Sequence, residues 1–465
     1  MGNLKKLTQE LLIHEHLSVL RELGRYVGVK SPASKNKDDL IKDILEIQNG
    51  VKSRSKPTQK GARPKIKLDL SKFMEGYEEK EDNSTLTFNN NDGLKTVEGV
   101  LEQHSAGYGF LRANNYESSS EDVYVSLLNI KKFNLRRGDK VKALAKKIKE
   151  GETIALQEVL LINDLDPVLF KSRKDFDSLT PLYPTRRIKL SNDGEENNLS
   201  LRCIDLFSPL GFGQRGLIVA PPKTGKTTLL KLIAKAIEQN YPNAKLIVLL
   251  VDERPEEVTD ISRSVNAEVV FSTFDEGENH HVRAAELVIN RAKRLVEVGK
   301  DVIILMDSIT RLARAYNNII EPSGKTLSGG LDPSALAGPK RFFGAARNVE
   351  QGGSLTILST ALIETGSRMD DTLYEEFKGT GNMEIHLSRE LSERRIFPAI
   401  DLNKSGTRKE ELLLSNEELV GVYKIRKFLS ETKGSTDTLL EMLTKSKSNQ
   451  DLLNKLDAWV KIYKQ

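Results

Sequence analysis

The spacing of apolar and polar positions changes several times along this chain. In residues 1–50 leucines such as Leu4, Leu7 and Leu40 recur at helical spacing, which predicts a small helical N-terminal module. Residues 51–95 have little apolar periodicity and are rich in Lys, Pro, Asn, Asp and Glu, as is typical of a charged, disordered linker. In residues 96–165 short segments alternate apolar and polar positions, which predicts an oligonucleotide-binding (OB) type β-barrel.

Longer apolar runs follow. Residues 166–190 contain Pro167, Pro181 and Pro184 with Arg186-Arg187, which indicates a connector. Residues 191–465 then contain near-continuous apolar runs separated by helical stretches; the runs lie at 217–220, 244–251, 301–306 and 354–358. Runs of this kind are typical of parallel strands that are buried on both faces. The order strand, loop, helix predicts an α/β domain with a parallel sheet covered on both sides.

Composition adds limits to this picture. A chain of 465 residues suggests roughly three domains of about 150 residues each. The net charge of +5 does not require a nucleic-acid partner, although the stretch 51–67 is locally basic. A single cysteine, Cys203, excludes an internal disulfide framework and suits the cytoplasm. No apolar stretch approaches the roughly 18 residues that cross a bilayer, so no membrane partner is expected.

The strand at 217–220 runs into a candidate phosphate-binding loop and then into a predicted helix. The loop residues expected to contact ATP are Pro222, Lys223, Thr224, Gly225, Lys226, Thr227 and Thr228. Backbone N–H groups at a helix start bind phosphate, while Lys226 reaches the outer phosphates and the Thr227 hydroxyl binds Mg²⁺. Ala220 stands where the strict pattern has glycine. The alternative is a Gly-Lys-Thr tripeptide that occurs in a loop by chance.

Hydrolysis of a nucleotide also requires carboxylates. Asp307 ends the strand at 301–306, so it is the candidate for the metal side of the site. Glu253 follows the strand at 244–251 and is the candidate for orienting or deprotonating water. The alternative for Glu253 is a simple ion pair with Arg254.

Aromatic residues mark the predicted barrel. Tyr108 and Phe110 alternate with Gly107 and Gly109, and Arg112 follows on the same strand; Tyr124 lies on a later strand. Exposed aromatic rings beside an arginine can stack on the bases of single-stranded RNA and contact its phosphates. The alternative is that these three rings form the barrel core.

Several long motifs occur together in order. They are 216–223 with 225–227, 251–259, 307–316, 323–325, 338–348, 377–382 and 405–411. With these motifs the chain resembles the Rho family of bacterial transcription termination factors over most of residues 200–412, and the barrel and helical module also agree in order. The resemblance implies a multidomain fold: a small N-terminal helical unit, an OB-type β-barrel and a C-terminal RecA-like α/β P-loop ATPase domain. It also implies an RNA-dependent ATPase and helicase that forms a homohexamer, binds single-stranded RNA and dislodges RNA polymerase, with ATP and Mg²⁺ as cofactors.

The resemblance assigns roles that the residues alone do not. Lys226 and Glu253 are catalytic, together with Arg408 as an arginine finger that reaches the ATP of the neighbouring subunit and Arg395 as a second interface arginine. Arg254 is assigned to ATP binding, and Phe397 is similar to the family's adenine-stacking residue. The RNA grip in the central pore is assigned to Lys325 in one loop and to Thr365, Gly366, Ser367 and Arg368 in another.

Two positions depart from the family pattern. Arg368 stands where lysine is more frequent, and Ile154 stands where an aromatic residue is expected, so the base preference of the barrel stays open. Two alternative functions also stay open. One is a rotary-type hexameric ATPase with a different load, and the other is a non-catalytic RNA-binding protein that keeps ATP as a structural ligand.

Overall fold

The computed structural model describes residues 94–147, 154–192, 198–350, 352–431 and 435–463, and before them 7, 12, 20, 21, 23, 24, 27–32, 35–49, 51 and 52. The chain divides into two compact units, Met1–Phe88 and Asn89–Gln465. Most of the predicted linker, residues 53–93, lies outside the described residues. Among the described helices, none is long and apolar enough to span a bilayer.

The first unit contains helix α1 (Lys37–Gln48). The helix starts where the side chain of Asn36 accepts a hydrogen bond from the backbone N–H of Asp39 at 2.9 Å, because this bond satisfies a donor that has no partner within the helix. Its apolar face buries Leu40 and Ile44 among the leucines that the sequence pattern indicated.

The barrel closes in the strand order β1-β2-β3-β5-β4. Its elements are β1 (Leu94–Gln103), β2 (Gly109–Arg112), β3 (Val123–Val125), helix α2 (Leu127–Phe133), β4 (Lys140–Lys147) and β5 (Ile154–Ile162). The first strand therefore begins two residues inside the segment predicted as linker. Leu101, Leu111, Val123 and Val125 fill the interior, and the alternation of a strand turns every second residue outwards. The predicted OB-type barrel is confirmed.

The C-terminal α/β domain is built on a sheet with the strand order β11-β10-β12-β14-β9-β15-β16. Its main strands are β9 (Arg215–Ala220), β10 (Lys245–Glu253), β11 (Glu268–Thr273), β12 (Asp301–Asp307), β14 (Ser354–Leu362), β15 (Met383–Leu387) and β16 (Ile400–Thr407). Neighbours from β11 to β15 pair in parallel, and β16 pairs antiparallel with β15. The parallel α/β sheet predicted from the apolar runs is confirmed.

Helices cover both faces of this sheet. They are α3 (Leu199–Phe207), α4 (Lys226–Asn240), α5 (Pro255–Ser264), α6 (Glu278–Val296), α7 (Ile309–Ile319), α8 (Ala337–Gly344), α9 (Arg368–Lys378), α10 (Arg389–Glu393), α11 (Asn416–Glu431), α12 (Ser435–Lys445) and α13 (Asn449–Tyr463). The strands bury Ile218, Leu250 and Ile303 on one side, and Val219, Ile247 and Ile304 on the other. Because adjacent residues of a strand face opposite sides, one sheet carries two cores.

The segment predicted as a connector contributes short strands. These are β6 (Pro181–Leu182), which pairs with β13 (Arg347–Val349), and β7 (Arg187–Ile188), which pairs with β8 (Leu210–Gly211). Since β13 pairs in turn with β14, the segment after the barrel is hydrogen-bonded to the large sheet of the α/β domain.

A glycine turn holds the barrel against α6. Gly138 has φ +92°, and a Cβ built there would lie 2.4 Å from the backbone carbon of Asn290. Nearby, Arg173 forms a buried ion pair with Asp139 at 2.6 Å, and Arg291 donates to Asn163. The barrel and the α/β domain therefore meet backbone to backbone, with charged groups paired around the contact.

Gly138→Ala is expected to lower the melting temperature more than Gly299→Ala. Both glycines have positive φ, but a Cβ at Gly299 meets no atom within 4 Å. Backbone strain costs about 1–2 kcal/mol in each variant, and overpacking adds about 1–3 kcal/mol only at Gly138. Calorimetry of the two full-length variants measures the difference, and equal shifts would contradict the proposed close packing.

Candidate nucleotide and RNA sites

The predicted phosphate loop joins β9 to α4 at the carboxyl edge of the sheet. Lys223 and Gly225 have φ of +65° and +87°, and these left-handed residues turn the chain so that α4 begins at Lys226. Inside the loop Thr224 Oγ1 donates to the carbonyl of Pro221 at 2.7 Å. From outside, Ser392 Oγ donates to the carbonyl of Lys223 at 3.1 Å. The loop is thus shaped to present the unpaired N–H groups of a helix start, which bind anions.

Lys226 occupies the centre of the site. Its Nζ lies 2.6 Å from Asp307 Oδ2 and 3.4 Å from Glu253 Oε2. Burial by itself lowers the pKa of Lys226, but the two carboxylates outweigh it and raise that pKa. The ammonium group is therefore charged, and Lys226, Glu253 and Asp307, which were predicted separately from the sequence, lie together.

Glu253 is almost fully buried, with 2% of its surface exposed. Burial raises the pKa of its carboxyl, and the negative charge of Asp307 raises it further against the opposing effect of Lys226. Arg254 is exposed, and its backbone N–H donates to Glu253 Oε1 at 3.3 Å. The ion partner of Glu253 is Lys226, so a simple side-chain pair with Arg254 does not describe this carboxylate.

Asp307 is fixed by the neighbouring strand. Thr360 Oγ1, on β14, donates to Asp307 Oδ1 at 2.7 Å. Thr227 Oγ1 donates to Glu257 Oε2 at 3.0 Å. Hydroxyl and carboxylate oxygens at a phosphate loop are ligands that suit a hard cation such as Mg²⁺, so the donor set fits the predicted metal. Glu257 was not among the residues predicted from the sequence, although it lies within the motif at 251–259.

Arg408 lies at the opposite edge of the sheet. Thr407 pairs with Met383, and Met383 pairs with Gly216 at the start of β9, whereas the phosphate loop follows the end of β9. The six residues of β9 separate these edges by about 20 Å. Arg408 is exposed there, so it cannot reach the phosphate loop of its own chain.

Arg395 and Phe397 lie at the same edge as the phosphate loop. Both precede β16, whose first residue pairs with Leu387, and α10 immediately before them contacts Lys223 through Ser392. Phe397 is 53% exposed, which leaves its ring available for stacking. The structure thus places the two predicted interface arginines, Arg395 and Arg408, at opposite edges of the sheet.

The aromatic residues of the barrel form a cluster on its outer surface. Tyr108, Phe110 and Tyr124 have ring centroids 5.8–5.9 Å apart, while Leu111, Val123 and Val125 point inwards. The alternative that these rings form the barrel core is therefore wrong. We refer to the three rings as the aromatic surface.

His104 extends the aromatic surface. Its ring stacks on Tyr108 with centroids 4.8 Å apart and an interplanar angle of 12°. His104 was not predicted from the sequence, because it precedes the glycine turn rather than alternating with the other rings. Ile154, at the position where an aromatic was expected, pairs with Val123 and packs against the barrel core.

Arg112 is held beside the aromatic surface by carboxylates. Its guanidinium lies 5.1 Å from the centroid of Phe110 and its Nε donates to Glu102 Oε2 at 2.8 Å; it also pairs with Asp122. Neither carboxylate was among the residues predicted from the sequence. Arg112 is thus fixed in orientation rather than free in solvent.

The first predicted pore loop follows β12 and α7. The second follows β14, which ends at the carboxyl edge of the sheet. Lys325 is exposed, and its backbone N–H donates to Ser323 Oγ at 3.3 Å. Thr365 Oγ1 donates to Asp370 at 2.6 Å. A Cβ at Gly329 would lie 2.4 Å from the backbone of Met369. The two loops therefore contact each other. The strands that precede them, β12 and β14, end beside the nucleotide site.

Known proteins share both halves of this arrangement. Residues 97–168 match the Rho termination factor RNA-binding domain, and residues 200–407 match the nucleotide-binding domain of the ATP synthase alpha/beta family. A solved ATPase of a type III secretion system matches 61% of this chain and 88% of its own with a TM-score of 0.51, and at 24% identity this likeness concerns the fold alone.

Two curated relatives match most of the chain. The transcription termination factor Rho of Bacillus subtilis (strain 168) is 59% identical over 368 residues, which are 79% of this chain and 86% of the relative. That of Aquifex aeolicus (strain VF5) is 47% identical over 98% of this chain and 97% of the relative. At these identities and coverages, the chain belongs to the transcription termination factor Rho family.

Proposed function

We propose that this protein is an ATP-driven RNA translocase and helicase that terminates transcription. The observation that carries the proposal is the presence, in one compact unit, of an outward aromatic surface and a phosphate loop whose lysine contacts two buried carboxylates. The first feature suits single-stranded RNA, and the second suits nucleotide hydrolysis. The protein would act on RNA polymerase that is elongating a transcript, in the cytoplasm.

In hydrolysis, Glu253 would accept the proton of the attacking water. The water oxygen attacks the γ-phosphorus, and the bond to the oxygen that bridges the β- and γ-phosphates breaks, so that ADP leaves with the electron pair. Burial suits Glu253 to this role, because a raised carboxyl pKa makes the group a stronger base. Lys226 would exchange its contact with Asp307 for the γ-phosphate.

Thr227 and Asp307 would hold Mg²⁺ with the phosphates. The ion would neutralise charge that develops on the phosphoryl oxygens. Phe397, which is half exposed and lies at the same edge as the loop, would stack on the adenine. From this edge Arg254 would contact ATP, and Arg395 would act as the second interface arginine.

The position of Arg408 supports a ring. If this arginine takes part in hydrolysis, it has to act on the nucleotide of another copy of the chain, because it lies about 20 Å from its own phosphate loop. A head-to-tail contact of this kind generates a ring when the rotation between copies closes, and the Rho family resemblance implies a closed ring of six subunits. Lys325 and residues 365–368 would then line the pore and contact the RNA that passes through it.

Contacts within the chain support a coupling between hydrolysis and the pore. Asp307 is followed directly by α7, whose other end leads to Lys325. Asp307 also accepts a hydrogen bond from Thr360 on β14, which leads to Thr365. A change at the γ-phosphate therefore acts on the bases of both pore loops.

The decisive experiment measures ATPase activity of the purified protein with poly(C), poly(U), poly(A) and no RNA, together with the mass of the assembly. We expect little activity without RNA, stimulation by at least one of the three polymers, and a mass of six chains. A rotary-type ATPase is the second candidate, since residues 200–407 match the nucleotide-binding domain of the ATP synthase alpha/beta family. Activity that no RNA stimulates would favour it over the proposed function.

Tyr108→Ala is expected to weaken RNA binding by about 5–150-fold, because a base stacked on an aromatic ring contributes about 1–3 kcal/mol. Anisotropy of a labelled oligocytidine RNA measures the change. Tyr423→Ala, which removes an exposed tyrosine ring from α11, is the control. Equal affinity in the two variants would show that the aromatic surface does not bind RNA.

A further inference from the structure

The hairpin that carries the aromatic surface is hydrogen-bonded to the ATPase domain. Asn115, in the turn between β2 and β3, accepts from the backbone N–H of Phe271 at 2.8 Å and donates to the carbonyl of the same residue at 2.9 Å. Phe271 lies on β11, and two residues further on Thr273 pairs with Glu253. The turn between the RNA-binding strands is thus joined to the strand next to the proposed catalytic base.

A second connection runs through charged groups. Arg283, on α6, donates to both oxygens of Glu102 at 2.9 and 2.7 Å, and to the carbonyl of Tyr116 at 2.9 Å. Glu102 in turn binds Arg112 at 2.8 Å, and Arg112 lies over the ring of Phe110. Burial opposes ionisation of Glu102, but its two arginines outweigh burial and lower its pKa to about 2. The carboxylate is therefore charged and shared between the RNA site and the ATPase domain.

Helix α6 continues this connection towards the pore. Tyr316 on α7 donates to Glu286 at 2.6 Å, and Asn318 donates to Glu278 at 2.9 Å. Helix α7 begins just after Asp307 and ends shortly before Lys325. Helix α6 is thus hydrogen-bonded to the helix that joins the nucleotide site to the first pore loop.

We propose that the ionic cluster of Arg112, Glu102 and Arg283 couples occupancy of the aromatic surface to the ATPase, with Arg283 as the positioning residue. The inference rests on the proposed function and adds a route by which RNA on the barrel changes turnover. When RNA stacks on Phe110, its base and phosphate compete with Glu102 for Arg112. The Glu102 carboxylate then interacts more strongly with Arg283, and α6 responds.

The coupling has to be reciprocal. If RNA on the barrel changes the affinity for nucleotide by some factor, nucleotide changes the affinity for RNA by the same factor. This gives a second readout that needs no turnover. A residue that only stabilises the fold would not move this ratio.

The test compares the full-length protein with Arg283→Gln, Arg283→Lys and Lys293→Gln. Lys293 lies on the same helix and pairs with Asp177 at 3.3 Å, away from the aromatic surface, so its variant removes an equal charge as a control. For each protein, anisotropy gives the Kd of oligocytidine RNA with and without a non-hydrolysable ATP analogue. A coupled assay gives the stimulation of ATPase by the same RNA.

We expect Arg283→Gln to bind RNA within about twofold of the parent but to lose about fivefold or more of the stimulation, since couplings of this kind are typically 5- to 150-fold. The ratio of the two Kd values should also approach one. Arg283→Lys should recover part of both effects, because it keeps the charge but not the two-pronged contact. Lys293→Gln should resemble the parent.

Two results would overturn the proposal. One is unchanged stimulation in Arg283→Gln. The other is a loss of RNA affinity that accounts for all lost stimulation while the effect of nucleotide on Kd persists, because Arg283 would then only shape the hairpin. If RNA fails to stimulate even the parent protein, the proposed function fails. The ratio of Kd values then still decides on the coupling.

Discussion

Replacement of Glu253 by Gln is expected to reduce ATP turnover by about 10²–10⁴-fold, the range for loss of a general base. The amide has the same shape but cannot accept the proton of water, so binding of nucleotide and RNA should persist. Steady-state ATPase with saturating oligocytidine RNA measures the loss, and fluorescence of a labelled ATP analogue measures binding.

Glu256→Gln is the control for this change, because Glu256 is exposed in the first turn of α5 and has no part in the proposed reaction. The acid side of the pH profile gives a further check. A raised pKa for Glu253 means that the base is protonated over more of the acid range, so the rate of the parent protein should rise with pH there. Parent-like turnover in Glu253→Gln would remove the proposed mechanism and favour another base.

Arg408→Ala is expected to lower turnover by about 10³–10⁵-fold, the contribution of an arginine finger to phosphoryl transfer. The arginine lies at the sheet edge opposite its own phosphate loop, so the loss should occur without weaker RNA binding by the barrel. The same ATPase assay applies, with Lys427→Gln on α11 as a control for removal of an exposed charge.

Mixed assemblies separate action between subunits from action within one. An interface formed by the phosphate loop of an Arg408→Ala chain and the Arg408 of a Glu253→Gln chain has both groups intact. Random mixing of the two inactive variants creates such interfaces at about a quarter of positions in a head-to-tail ring. Activity should therefore reappear on mixing, and continued silence would count against a site shared by two chains.

These predictions start from residues that the sequence identified to different degrees. Lys226 and Thr227 were predictable because a phosphate loop is a local feature: a strand, a short loop and a helix start within a few residues. Glu253 and Asp307 followed from their positions after apolar strands, since parallel strands end at one edge of a sheet. Arg408 had no such local signal, and its role came only from the resemblance.

Side-chain partners were harder to predict. Glu102 has the pattern of an ordinary strand residue, and Arg283 that of an ordinary helix residue. They are 181 positions apart, and no periodicity in either segment reports the other. The same holds for Asn115 and Phe271, whose contact depends on how the barrel packs against the ATPase domain.

The sequence by itself determined the order of domains, the parallel sheet, the phosphate loop and the carboxylates that follow the strands, because each depends on apolar periodicity or on neighbouring residues. Tertiary structure alone decided three matters. It turned Tyr108, Phe110 and Tyr124 outwards, since only barrel closure defines an interior. It placed Arg408 about 20 Å from its own phosphate loop, because strand direction in the sheet fixes the edges. It also joined Glu102 to Arg283, because packing brings together charges that are far apart in the chain.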